Sequence, residues 1–507
     1  MTSPAPIRDA LRPTWAFVLV VVVLALAVRT PGYVHELFDP DEAAIASQAI
    51  SLREGGTLYV DAIDRKPPLP PFLFEASFRL TGSTDLRPLH LVAALGLAGA
   101  ALVLGLDARR RHGARAGWWA ALVTVGGAVA FFPVDAQAAN YAHLALFPGA
   151  VAVVWARRGT VPASAVAGVA LGVAVLSRQS WIAGVVPGVA AAWLAGGRTG
   201  AGSVAARLAC VGAFVAALTA TVAAAGLLVP FDEFWAWTFS ETGGYVLSEV
   251  EVGPTLGRFA ATVAIFVVFH LTLVAAGFLA GRDRIRDWSA WRTDLDLWLW
   301  VAAGCAAVLA GFRFFGHYWL QVLPPAVVLV APRLADLRGR MARLALAGVA
   351  VPAALAVAFA FTPDTFRTLP DPEPLAAFVE ANTEPGDTVF VWGNFPEVHW
   401  RGDRPPGGAL VHSDFITGRS GGREPGPETL DEATDGASTA LFRSFRRHPP
   451  RLVLDTSTAA IRDYDAYPLD RFTAIHRWVQ AHYVLTTTID GVDVWARRGA
   501  EPTAPSP

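Results

Sequence analysis

The chain has 507 residues, 53% of them hydrophobic, and a net charge of −2, with a mean hydropathy of +0.41. It is too long for one ordinary soluble domain and too apolar for a soluble protein, and its balanced charge leaves no basic footprint for nucleic acid. Cys210 and Cys305 both lie inside apolar runs, which argues against a disulfide framework, a cysteine zinc site or a thiol nucleophile.

The first apolar run, about Trp15 to Val28, is followed by no small-residue cleavage site, so it reads as a retained span rather than a signal peptide. Further apolar runs approach the ~20 residues that cross a bilayer. Eleven spans are predicted, at about 14–30, 88–106, 117–133, 140–156, 162–177, 181–196, 208–229, 259–279, 295–311, 318–332 and 341–361. This is the pattern of a polytopic α-helical membrane protein.

Arginines orient it. One set of loops carries Arg109-Arg110-Arg111 and Arg115, then Arg157-Arg158, Arg198 and Arg207, then Arg282, Arg284, Arg286 and Arg292, then Arg333, Arg338, Arg340 and Arg343. The short loops on the other side hold none at 134–139 and otherwise only Arg178, Arg258 and Arg313. The positive-inside rule then places the N-terminus in the cytoplasm and both the first long loop and the tail after 362 outside.

That first outer loop, within 31–87, is too polar for lipid. It holds Glu36, Asp39, Asp41, Glu42, Glu54, Asp61 and Asp64, and Lys66, the only lysine in the chain. A chain that otherwise uses arginine and keeps one lysine, before Pro67-Pro68, calls for a compact ammonium there; chance is the alternative. Asp39-Pro40-Asp41-Glu42 predicts a helix start, with Asp39 as N-cap, Pro40 at the first helical position and Glu42 closing a capping box. Gly55-Gly56 ends that helix. Lys66 is held extended by the following proline, and a second short helix covers Phe72 to Leu80.

After 362 the composition shifts to Asp, Pro, Gly and Arg, with β-like runs at 388–392, 410–412, 451–455, 483–488 and 492–495. Helical stretches lie between them at 375–382 and 471–481. The prediction is a small extracytoplasmic α/β domain over 362–507, separate from a membrane domain over 1–361. Residues 418–437 read as a flexible loop, and 499–507 as a disordered end.

Polar groups gather at the outer ends of the spans: Asp41, Glu42 and Lys66; Asp135, Asn140 and His143; Arg178; Asp232 and Glu233; Arg313, His317, Tyr318 and Gln321. Asn140 and His143 share a helix face by i,i+3 spacing. Ionisable groups at membrane depth are functional candidates. Each also has a plainer reading. The acidic pair suits a helix N-terminus, the arginines can snorkel, and Trp235, Trp237 and Trp319 suit an interfacial belt. What favours a site is that all of them map to one outer face. Such a site suits a lipid-linked phosphate leaving group stabilised by Lys and Arg, with a carboxylate taking the acceptor's proton.

Phe38-Asp-Pro-Asp-Glu42, the block from Gly55 through Tyr59-Val-Asp61 to Asp64-Arg-Lys-Pro-Pro-Leu69, Ala138-Ala-Asn140, and Gly316-His-Tyr-Trp-Leu-Gln321 before Pro324-Pro325 resemble, in this order, bacterial membrane glycosyltransferases of the GT-C superfamily. The branch is that of the protein O-mannosyltransferases of glycosyltransferase family 39, the aminoarabinose transferases of lipid A and RgtA/B/C/D-like enzymes. The resemblance covers about 15–360. It implies a GT-C fold and an inverting transfer of one monosaccharide from a polyprenyl-phosphate donor to an extracytoplasmic protein, lipid or glycan. It implies Asp41 and Glu42 as the catalytic acidic pair, with Asp41 the catalytic carboxylate, and Lys66 near the donor phosphate. Arg178 and His317, with Tyr318 and Gln321, are implied on the phosphate side, and Asp135, with Asn140 and His143, as a second acidic or acceptor site. Many relatives carry Glu where this chain has His143, so a divalent metal, with Asp41, Asp135 and His143 as candidate ligands, stays an open cofactor. Two rivals stand beside this reading. A secondary transporter would show paired halves with interrupted spans, and none is evident. A non-catalytic scaffold binding envelope glycan would make Asp41, Glu42 and Lys66 dispensable.

Overall fold

The computed structural model describes residues 14–197, 203–240, 252–286, 288–365, 369–419 and 425–499, with backbone alone over 284–286 and 288–292. Contacts divide the chain into two compact units. One comprises residues 1–38, 86–223 and 252–366; the other 39–85, 224–251 and 367–507. The first outer loop is thus grouped with the tail rather than with the spans, so the units do not follow a single cut at 361.

The first unit is helical. Among the described residues, five helical stretches are long and apolar enough to cross a membrane: Arg87–His112, Val204–Leu227, Val252–Phe269, Thr293–Phe312 and Gly339–Phe359. Shorter apolar helices stand at Thr14–Val28, Tyr141–Ala156 and Val161–Ser177. Small residues let these helices approach. A Cβ on Gly168 would lie 2.2 Å from the Phe214 carbonyl oxygen, and one on Gly117 would lie 2.8 Å from that of Gly105. Phe17, Leu104, Leu146, Leu323 and Val327 share one buried core, and Leu171, Trp181, Phe214 and Trp300 another.

Three predicted spans differ in detail. The stretch 259–279 is two helices, Val252–Phe269 and Leu271–Arg286, meeting at His270. The stretch 181–196 begins as a 3-10 turn, Gln179–Gly184, before Val185–Gly196. The stretch 318–332 likewise opens as a 3-10 turn, Gly316–Gln321, and the α-helix is Leu323–Asp336. Pro324 and Pro325 explain the last case, because proline fits only the first helical turn.

The second unit carries the sheet. The helix Pro40–Arg53 starts as its sequence predicts: Asp39 caps it, Pro40 opens it, and both halves of the Asp39–Glu42 capping box form. It packs on the short helix Glu397–Arg401, with Ser47 Oγ donating to the Pro396 carbonyl at 3.1 Å and Arg53 bound to Asp403 at 2.6 Å. The second loop helix is Leu69–Thr81. Strands β1 (Val389–Trp392), β2 (Leu452–Asp455), β3 (Tyr483–Ile489) and β4 (Val492–Arg497) form a sheet in the order β1-β2-β4-β3. β1 and β2 run parallel, and the other neighbours are antiparallel. Asp490-Gly491, both at positive φ, close the β3–β4 hairpin. Helices Glu373–Asn382 and Thr473–His482 match the predicted helical stretches. The predicted strand 410–412 makes only an isolated bridge, Leu410 to Ile63, outside the sheet; Ala409, at φ 69°, bends the chain before it can extend. Of the expected flexible loop, 420–424 lie outside the described residues, and Pro427–Glu432 is a 3-10 turn. Of the expected disordered end, 500–507 lie outside them too.

Candidate active site

The predicted site residues fall into two groups, one on each unit. On the helical unit, Asp135 sits in the one-turn helix Pro133–Gln137. Its Oδ1 accepts from His317 twice, from the backbone N at 3.1 Å and from Nδ1 at 2.6 Å. Both residues are buried. The His317 ring stacks on Phe315 and meets Tyr318 edge-on at 5.1 Å. The Arg178 guanidinium lies over the Tyr318 ring, 4.2 Å from its centre. Arg178 Nε also donates to Ser180 Oγ at 3.0 Å, and that hydroxyl donates to Gln321 Oε1 at 3.0 Å. Asp135, Arg178, His317, Tyr318 and Gln321 are therefore one connected cluster. Asn140 and His143 form a separate contact. The Asn140 amide oxygen caps the helix Tyr141–Ala156 through Ala142 N and lies 3.2 Å from His143 Nδ1. His143 Nε2 is buried with no hydrogen-bond partner.

Two supports of this cluster escape a reading of the sequence. Arg29, at the end of the first apolar helix, is buried and donates to the carbonyls of Ala136 and Ala138, which pins the loop bearing Asp135. In sequence it reads as one more interfacial arginine. Gly316 leaves the space that the Asp135 carboxylate fills: a Cβ there would stand 2.7 Å from Oδ2.

On the sheet unit, Lys66 Nζ donates to Asp41 Oδ2 at 3.2 Å, and both side chains are about one-third exposed, at 33% and 36%. The ammonium and the carboxylate thus meet each other at a partly exposed position. Glu42 is turned the other way. It is fully buried, and its Oε2 accepts from the Asp39 backbone N at 3.1 Å. Tyr59 braces the lysine loop. Its hydroxyl donates to the Lys66 carbonyl at 2.8 Å, and its backbone holds φ 67°, a conformation rarely adopted outside glycine and associated with functional sites. Burial, with Asp64 nearby, pushes its phenol well above the usual range despite a bond with Thr238, so the hydroxyl keeps its proton and stays a donor.

Of the three candidate metal ligands, Asp41 meets Lys66, Asp135 meets His317, and His143 meets Asn140 through Nδ1 alone. Among the described residues no three His, Cys, Asp or Glu side chains gather in a group that could hold a metal ion. No step is assigned to a metal.

No family model matches the chain, and no curated protein matches it by sequence. Solved structures do. ArnT from Cupriavidus metallidurans bound to undecaprenyl phosphate superposes with a TM-score of 0.60 at 15% identity, over 96% of this chain and 99% of that one. ArnT in the apo state gives 0.61 at 16% identity, over 97% and 100%. The fold is that of ArnT. The archaeal oligosaccharyltransferase AglB from Archaeoglobus fulgidus, in complex with an inhibitory peptide and a dolichol-phosphate, shares it with a TM-score of 0.55 at 13% identity, over 96% of this chain and 74% of that one.

Proposed function

We propose that the chain is a membrane glycosyltransferase that moves one monosaccharide from a polyprenyl-phosphate donor to an extracytoplasmic acceptor. The observation that carries this is the partly exposed Asp41–Lys66 pair, set in a fold shared with a protein crystallised with undecaprenyl phosphate. In this reading eleven spans place the N-terminus in the cytoplasm and the sheet unit outside.

The chemistry is a single displacement at the anomeric carbon. The acceptor oxygen attacks, the bond from that carbon to the phosphate oxygen breaks with its electron pair leaving on the phosphate, and the acceptor's proton passes to Asp41. The configuration inverts. Lys66 pairs with Asp41 before substrate binds and stabilises the charge that grows on the departing phosphate. A small ammonium can move between two oxygen partners on its flexible stem, which a guanidinium fork does less readily. Arg178 and His317 are assigned to the phosphate side, with Tyr318 and Gln321 fixing Arg178. Asp135 accepts from His317 Nδ1 and so fixes the orientation of its ring. Glu42, locked in its capping box, sets the helix start that presents Asp41.

The test is sugar transfer in membranes carrying wild type, Asp41→Asn or Lys66→Ala at matched protein levels, with labelled polyprenyl-phosphate sugars and native envelope as acceptor. Transfer by wild type that is lost in Asp41→Asn is the expected result. Unchanged transfer in both variants would refute the assignment of the pair.

A further inference from the structure

Next to the lysine loop the sheet unit holds a buried polar chain that the donor chemistry above does not use. Ile63 N donates to the Ala409 carbonyl at 2.6 Å, and Val411 N donates to that of Ile63 at 3.3 Å. This short pairing runs Asp64, Arg65 and Lys66 alongside Val411 and His412. The Arg65 guanidinium lies 4.4 Å from the centre of the Phe415 ring, and the His412 ring stacks on the same phenyl at 4.9 Å and 18°.

Behind His412 stands Asp414, nearly fully buried. Its Oδ1 accepts from Tyr464 Oη and its Oδ2 from Asn394 Nδ2, each at 2.7 Å. Arg419 Nη1 stands 3.8 Å from Oδ2 and His412 Nδ1 3.6 Å from it. Burial works against the charge on Asp414, but His412 when it is protonated, Arg419 and the two hydrogen bonds outweigh it and hold the carboxyl below its usual range. Asp414 is therefore a fixed anion. His412 Nδ1 makes no hydrogen bond, but the Asp414 anion stands before it and by its charge favours the tautomer with the hydrogen on Nδ1, which leaves Nε2 as an acceptor. Nδ1 itself is buried, so the 14% of the side chain that is open lies at the far edge of the ring. The charged groups facing the ring are Asp414, Asp64, Arg65 and Lys66. Burial dominates them and lowers the imidazole's affinity for a proton, so His412 is neutral at pH 7.

Taken with the reading of Lys66 as the donor-phosphate residue, on which it rests, we infer that His412 reads a hydroxyl of the donor's monosaccharide, accepting its hydrogen at Nε2. Cations already stand beside His412 for the phosphate. A neutral, pre-oriented acceptor beside them matches the group bonded next to that phosphate, which is the sugar and its hydroxyls. Asp414 acts through His412 as a positioning residue.

The experiment is binding to the purified full chain in nanodiscs, using sugar-free polyprenyl phosphate, the polyprenyl-phosphate sugar that wild type transfers, and its monodeoxy analogues. His412→Ala is expected to weaken the sugar-bearing donor by about tenfold, the worth of one net hydrogen bond, and to leave the sugar-free phosphate unchanged. One deoxy analogue is expected to bind wild type and His412→Ala equally, which names the hydroxyl read. His412→Gln, which keeps an acceptor oxygen, is expected to fall between them and serves as the folded control. Equal weakening of both phosphates, or of neither, would overturn the inference while leaving the Lys66 reading intact. Failure of wild type to bind any polyprenyl phosphate would overturn both.

Discussion

Glycine 316 has no side chain because the Asp135 carboxylate occupies the space, with Oδ2 2.7 Å and Cγ 2.9 Å from where a Cβ would stand. Phe131 closes the other side at 3.2 Å. Gly316→Ala must therefore push Asp135 away from the His317 ring that it holds. Displacements of this kind at a reacting site cost between about ten- and a hundredfold in rate. The expected outcome is a transfer rate reduced by that factor, with the protein still present in the membrane at wild-type level; a rate within twofold of wild type would show that the Asp135–His317 bond is not needed. Lys66 makes the complementary case. Lys66→Arg keeps the charge but replaces a point ammonium by a planar fork, and it is expected to recover less than a tenth of wild-type transfer, measured against Lys66→Ala in the same membranes.

At the scale of elements, the helix Pro40–Arg53 separates two acidic neighbours into two jobs. Asp41 faces Lys66, and Glu42 closes the cap. Glutamine can fill the N3 place of a capping box as glutamate does, so Glu42→Gln is expected to keep most of the transfer activity that Asp41→Asn loses. Asp39→Ala removes the cap and is expected to cost about 1 kcal/mol, read as a lower thermal midpoint. If Glu42→Gln is as dead as Asp41→Asn, Glu42 takes part in the chemistry. This helix start was legible in the sequence because capping is local: four consecutive residues carry the whole instruction. The strands at 389–392, 452–455, 483–489 and 492–497 were legible for the same reason, each being a short β-rich run bounded by turn residues. Long-range partners were not. Asp135 and His317 were both singled out, yet nothing local says that residues 182 positions apart share a hydrogen bond. The pairing of Ile63 with Leu410 was hidden likewise, because a single isolated bridge has no periodicity to read. His412 and Asp414 went unnoticed as chemistry for that reason.

For the whole molecule, the grouping of the first outer loop with the tail ties the presentation of Asp41 and Lys66 to the folding of the sheet unit. That unit has a weakness to acid. His399 is 2% exposed and its Nδ1 has no hydrogen-bond partner. Burial pulls its pKa down to about 3, against ~6.5 for an unfolded histidine. The unfolded chain therefore binds this proton at a pH where the folded chain does not. The stability that neutral His399 permits is complete above pH ~6.5 and is lost progressively as the pH falls towards 3. At pH ~5 the loss from this one residue is about 2 kcal/mol. His412, also lowered by burial first, acts in the same direction. Thermal unfolding of the full chain in detergent is expected to show a midpoint that drops between pH ~7 and ~5, with a shallower drop in His399→Gln, which has no proton to gain. Identical pH slopes for the two proteins would mean that His399 is solvated or paired rather than buried neutral. Because Asp41 and Lys66 belong to the unit that loosens, transfer measured after a brief exposure to pH ~5 is expected to fall in wild type and to be better preserved in His399→Gln.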